Sequence, residues 1–160
     1  MVHRILGIDP GVGRVGWGVI EKETQKLRAV AWGRIDTPAH TALPARLSYI
    51  VHAVKKLIAK YTPGMIAVEE IFFAKNAKTA IAVSHMRGAI LVLGEQSHLP
   101  IVEYTPLQVK QAVTGYGRAE KQQVQMMLRT IFKIRITASE DDAADALAIA
   151  YTAMVSAKSL

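Results

Sequence analysis

The chain has 160 residues, a net charge of +7 and no cysteine, which excludes a disulfide framework and a thiolate metal site and fits a cytoplasmic location. Its length suits one domain over residues 1–160; hydrophobic residues make up 51%, yet no apolar run reaches the ~18 residues of a membrane span and no signal peptide is visible. The basic excess favours a polyanionic partner such as nucleic acid.

The first apolar run, Ile5 to Ile8, ends in Asp9, breaks at Pro10-Gly11-Val12-Gly13 and restarts at Arg14 to Ile20. This predicts a central strand, a tight turn and an antiparallel partner, with Asp9 at the rim. Alone, Asp9 reads equally as a turn-former before Pro-Gly or as a site residue. Lys26 to Asp36 is predicted as a third strand after a turn near Thr24. Helical spacing of Leu43, Leu47, Ile50, Val51, Val54, Leu57, Ile58 and Tyr61 predicts an amphipathic helix stopped by Thr62-Pro63-Gly64. Met65 to Val68 is a short buried strand running into Glu69-Glu70, the second apolar strand to end in acid. A loop, Ile71 to Lys78, joins two aromatics to two lysines, and Thr79 to Ser97 is a helix apolar on more than one face. Leu99 to Tyr104 gives a fifth strand, and Thr105-Pro106 caps a helix ending at Gly115. A basic helix is expected over Arg118 to Lys133, and Ser139 to Asp142 opens the last helix, with its body at Ala143 to Ala157. The order indicates an α/β fold, a mixed five-stranded sheet flanked by helices.

Three separate elements thus offer carboxylates at their ends: Asp9, Glu69 or Glu70, and the pair Asp142 and Asp145, which share a helix face. Ser139 with Asp142 fits a capping box, which accounts for Asp142 and in part for Asp141 but not for Asp145. Oxygen donors without His or Cys suit Mg²⁺ or Mn²⁺, and two such ions can activate water and stabilise a leaving oxygen in phosphodiester hydrolysis. No P-loop follows the Pro10 to Gly13 turn, and no histidine pair has zinc spacing.

The chain resembles the RuvC family of Holliday-junction resolvases nearly end to end. The resemblance is carried, in order, by Gly7-Ile8-Asp9-Pro10-Gly11, Ala67-Val68-Glu69, Phe72-Phe73-Ala74-Lys75-Asn76, Gln108-Val109-Lys110-Gln111, Ala119-Glu120-Lys121 and Asp142-Ala143-Ala144-Asp145-Ala146-Leu147-Ala148. It implies a ribonuclease H-like fold, a homodimer, and Mg²⁺-dependent paired nicking of four-way DNA junctions in recombination and repair. It further implies cooperation with a RuvA–RuvB branch-migration complex and a short preferred target sequence. Asp9, Glu69, Asp142 and Asp145 match the family's metal-binding carboxylates, and it is the resemblance that favours Glu69 over Glu70. Phe72 matches an aromatic that stacks on bases, and one of Phe72 and Phe73 is expected outside the core. Lys110 and Lys121 match lysines near the scissile phosphate. Lys75, Asn76, Lys78 and Arg118 are expected DNA contacts, although a solvated helix face is the simpler account of Arg118 and Lys121. Glu70 and Asp141 each put an extra acid beside a matched one. Two rival classes are a non-catalytic binding module and a sugar-kinase or actin-like ATPase, which shares the opening strand-turn-strand but needs two such domains.

Overall fold

β1 (Val2–Pro10) pairs antiparallel with β2 (Arg14–Glu23), which pairs antiparallel with β3 (Lys26–Asp36), in a computed structural model that describes residues 2–11, 13–38, 40–70 and 77–156. The other neighbour of β1 is β4 (Met65–Glu69), in parallel, and β4 is followed in parallel by the edge strand β5 (Ile101–Tyr104). The sheet order is β3-β2-β1-β4-β5, the mixed five-stranded sheet expected. Between β3 and β4 runs α1 (Leu43–Tyr61), and between β4 and β5 runs α2 (Ala77–Gln96). After β5 come α3 (Pro106–Thr114), α4 (Lys121–Phe132), a 3-10 turn (Ala138–Glu140) and α5 (Asp141–Ser156).

Strand alternation divides the apolar residues between two cores. Leu6, Ile8, Val15, Val19, Ile66 and Val68 pack with α1 and α2 on one face. Ile5, Ile20 and Ala67 pack with α3, α4 and α5 on the other. Helix α5 lies close against the sheet because small residues meet small residues. Ala143, Ala146, Ala150 and Ala153 are buried along it, and the strands beneath carry Gly7 and Gly16. A Cβ on Gly7 would strike the carbonyl oxygen of Ala146, and one on Gly16 would strike that of Asp142. No larger side chain fits at either position while α5 keeps this seat.

Several boundaries differ from the sequence reading, among them the start of α2 at Ala77, not Thr79. The basic helix starts at Lys121, not Arg118, because Glu120 is extended and caps it: the Gln123 side chain accepts from the Glu120 backbone N–H at 2.8 Å. The capping box before α5 is Thr137 with Glu140, not Ser139 with Asp142. Glu140 is further fixed by the Trp32 indole N–H at 3.0 Å, and the Thr137 and Trp32 bonds hold its carboxyl below the usual range. Asp142 is thereby relieved of a capping role. The fifth strand begins at Ile101, after a turn in which His98 takes a positive φ of 53°.

Candidate active site

The acids come together because strand parity and helix position agree. On β1, residues 5, 7 and 9 face α5, and Asp9 lies opposite Gly16 of β2, the residue on which the first turn of α5 rests. On β4, Ala67 belongs to the α5-side core and Val68 to the other, so Glu69 projects to the side of Asp9. Glu70 lies past the end of the strand, exposed, its N–H donating to the Tyr104 carbonyl at 2.8 Å. Asp142 and Asp145 complete the group from the first turns of α5.

Crowding and burial dominate the electrostatics. Burial, then the charges of Glu69, Asp145 and Asp142, push the Asp9 carboxyl up to about 8, against a smaller opposing effect of Lys121. Glu69 is pushed up to about 7, by burial first and then by Asp145, with Lys121 and Lys110 opposing. Asp145 is also raised, by burial, although Lys121 Nζ donates to its Oδ2 at 2.9 Å. Burial works to lower the Lys121 pKa, but its bonds and proximity to Asp145 and Asp141 outweigh this and raise it. The four matched carboxylates therefore form one electrostatic unit.

Around this unit stand cations, not all of them anticipated. Lys121, at the start of α4, and Lys110, on α3, both act on Glu69. Arg118 is exposed in the turn before α4. Sequence reasoning passed over Arg14 and Arg34, which pair with Asp142 Oδ2 at 3.2 and 3.9 Å. A signal was present: Arg14, Gly16 and Gly18 alternate along β2, so an arginine ends the small-residue row that seats α5. Asp141 is drawn toward α4 by Gln125, which donates to it at 2.7 Å, and by Lys121 at 3.5 Å. Phe72, Phe73, Lys75 and Asn76 lie outside the described residues, and of Lys78 only the backbone, in the first turn of α2, is described.

Residues 5–153 match the family model of crossover junction endodeoxyribonuclease RuvC. A RuvC from Brevibacillus brevis is 48% identical over 149 residues, covering 93% of this chain and 90% of the relative. One from Desulfitobacterium hafniense is 50% identical over 146 residues, covering 91% and 88%. The chain belongs to the RuvC family. Among solved structures, Thermus thermophilus RuvC in complex with a Holliday junction substrate superposes with a TM-score of 0.90 at 34% identity, over 98% of this chain and 95% of that one. The sheet and its flanking helices are accordingly the ribonuclease H-like resolvase fold.

The donor set of this RuvC-family chain fits a hard divalent cation. It is all carboxylate oxygen, it is partly buried, and Asp9, Glu69 and Asp145 are each raised by burial and by neighbouring acids, a cost that a bound cation relieves. Among the described residues, no three acidic or histidine side chains close around a common point. Asp142 and Asp145 are instead turned to Arg14 and Lys121, cations that occupy the carboxylates as they stand.

Proposed function

We propose that this protein is a structure-specific endonuclease that resolves four-way DNA junctions by paired, metal-dependent phosphodiester hydrolysis in recombination and repair. The observation that carries the reading is the partly buried, electrostatically coupled carboxylate unit of Asp9, Glu69, Asp142 and Asp145 in a chain of the RuvC family. Those four residues would hold Mg²⁺, as two ions, with Mn²⁺ able to substitute. A divalent ion bound there supplies an activated water and stabilises the leaving oxygen.

The chain's own groups do the rest. Asp9 and Glu69, ionised when a cation is present, fix the site from two adjacent strands, so their separation is set by the sheet rather than by a loop. The Lys121 ammonium, half-exposed beside Asp145, can turn from that carboxylate to a phosphate oxygen of the strand being cut. Lys110 approaches from the Glu69 side, while Arg118, Lys75, Asn76 and Lys78 extend the contact along the backbone. Of Phe72 and Phe73, which follow the strand that carries Glu69, Phe72 supplies base stacking at the crossover.

A four-way junction needs two symmetric cuts to yield two duplexes, so the active form is a two-fold homodimer in which each nuclease domain makes one. The outward face of α2 is the candidate interface: Ile81 and Val92, three helical turns apart, are 57% and 58% exposed. Cooperation with a RuvA–RuvB branch-migration complex and a cytoplasmic location belong to the same proposal, with membership of the family as their support. No helix among the described residues is long and apolar enough to cross a membrane.

The test is nicking of an end-labelled synthetic four-way junction with Mg²⁺ and with a chelator. Paired cuts at symmetric positions are expected with Mg²⁺ alone. Equal cutting in chelator, or cutting of plain duplex at the same rate, would overturn the reading. Sedimentation of a monomer at micromolar concentration with full activity would overturn the dimer.

A further inference from the structure

The sheet order separates the cations around the acids into two flanks. Lys110 and Lys121 act on Glu69, whose strand lies on one side of β1. Arg14, Arg34 and the turn beside Arg46 lie on the other side, where β2 and β3 end. There Thr37 donates from its N–H and its Oγ1 to the Gly13 carbonyl at 2.9 and 2.8 Å, and Arg46 Nε donates to Thr37 Oγ1 at 3.1 Å. The β1–β2 turn is thus tied down with arginines around it.

Arg14 is the outermost of these. Its Nε meets Asp142 at 3.2 Å, and that is its one ion pair among the described residues. Its side chain is nevertheless 57% exposed, against 19% for Asp142. A guanidinium has five N–H donors in a planar fork, so one edge can hold a carboxylate while the other meets a phosphate. Arg34 sits behind it: it is shared between Asp36, at 2.9 Å, and Asp142, at 3.9 Å, so its charge is already answered twice. A strand with one phosphate at the acids must carry its neighbouring phosphates past both flanks.

We propose that Arg14 is a backbone-binding residue for the cleaved strand, taking a phosphate next to the scissile one on the flank opposite Lys110 and Lys121 while its Nε keeps hold of Asp142. This rests on the junction-resolving reading above. It adds a second track to the one that the sequence indicated, so that the strand is gripped from both sides of the acids.

The experiment measures binding of a fluorescent four-way junction in chelator, across a salt series, for wild type, Arg14→Ala, Arg14→Lys, Asp142→Asn and the Arg14→Ala/Asp142→Asn double variant. Losing one phosphate contact lowers the slope of log affinity against log salt by about 1 and weakens binding roughly tenfold near ~0.1 M salt. Arg14→Ala is expected to show both changes, and Arg14→Lys to retain most of the slope. If Arg14 served only to neutralise Asp142, removing the acid as well would restore wild-type binding. The proposal requires the double variant to keep the reduced slope of Arg14→Ala relative to Asp142→Asn. Full restoration in the double variant, or an unchanged slope in Arg14→Ala, overturns the proposal and leaves the function intact. A wild type that binds the junction no better than duplex DNA overturns the function as well.

Discussion

Glu21 and Asp9 are both acids on the paired central strands, yet one is held below the usual carboxylate range and the other is pushed up to about 8. Glu21, 2% exposed, receives Arg4 Nε at 2.6 Å and Arg28 Nε and Nη2 at 2.7 and 2.5 Å. Arg4 also donates to the Tyr61 carbonyl at the end of α1, at 3.0 Å, so the triad ties three strands to a helix. At the other end of β1 the neighbours of Asp9 are more acids, and the nearest cations are committed to Asp142 and Asp145. Buried acid given its own cations acts as structure. Buried acid grouped with acid is destabilising until something positive arrives, and that is what the proposed metal-dependent site requires.

The two acids should differ most in catalysis. Asp9→Asn keeps the shape and removes the charge, so junction nicking should fall by about a thousandfold or more while binding in chelator holds or tightens. Single-turnover rates beside binding isotherms check this. Next, Glu69→Gln should lose nicking on the same scale, whereas Glu70→Gln, past the strand end and exposed, should stay within about threefold of wild type. A dead Glu70→Gln beside an active Glu69→Gln, at saturating Mg²⁺, would reverse the assignment.

Effects at the other end should fall on stability alone. Glu21→Gln leaves two arginines without their acid and should cost ~2–4 kcal/mol, less than a fully buried pair because Arg28 is largely solvated. Denaturant midpoints should show this, with nicking at 25 °C nearly unchanged. The pH effects of the two acids have opposite signs. Glu21 is lowered from 4.5, so its contribution is complete above that value and is lost as pH falls through the lower folded value. Asp9 is raised from 3.8 to about 8, so the folded state binds the extra proton and metal-free stability should decline as pH rises across that interval. Thermal midpoints in chelator at several pH values should fall on both the acid and the alkaline side, the alkaline fall being shallower in Asp9→Asn.

Much of this was legible in the residues, for reasons that can be named. Apolar runs closing on Asp9 and Glu69 put both acids at strand ends, and the helical spacing from Leu43 to Tyr61 matched α1 to its bounds. The choice between Glu69 and Glu70 was closed to pattern, since β4 is buried on both faces and its apolar residues do not alternate with polar ones. Only pairing with β1 sets which parity faces α5. Thr137 with Glu140 is as good a capping box on paper as Ser139 with Asp142; the contact from Trp32, 108 positions away in the chain, shows why it prevails. Glu21 escaped notice because Glu21-Lys22-Glu23 reads as a polar strand end, and its burial depends on Arg4 and Arg28 arriving from other strands.

The contrast between the two acids is tested most directly by the melting of metal-free Asp9→Asn against wild type at pH 8. Removing a charge that is held among like charges should raise the midpoint, by several °C or more for a chain of this size, even as nicking is lost. A midpoint that falls, as it should for Glu21→Gln, would mean that Asp9 is held by favourable partners and that the acidic end is built as structure, contradicting the account.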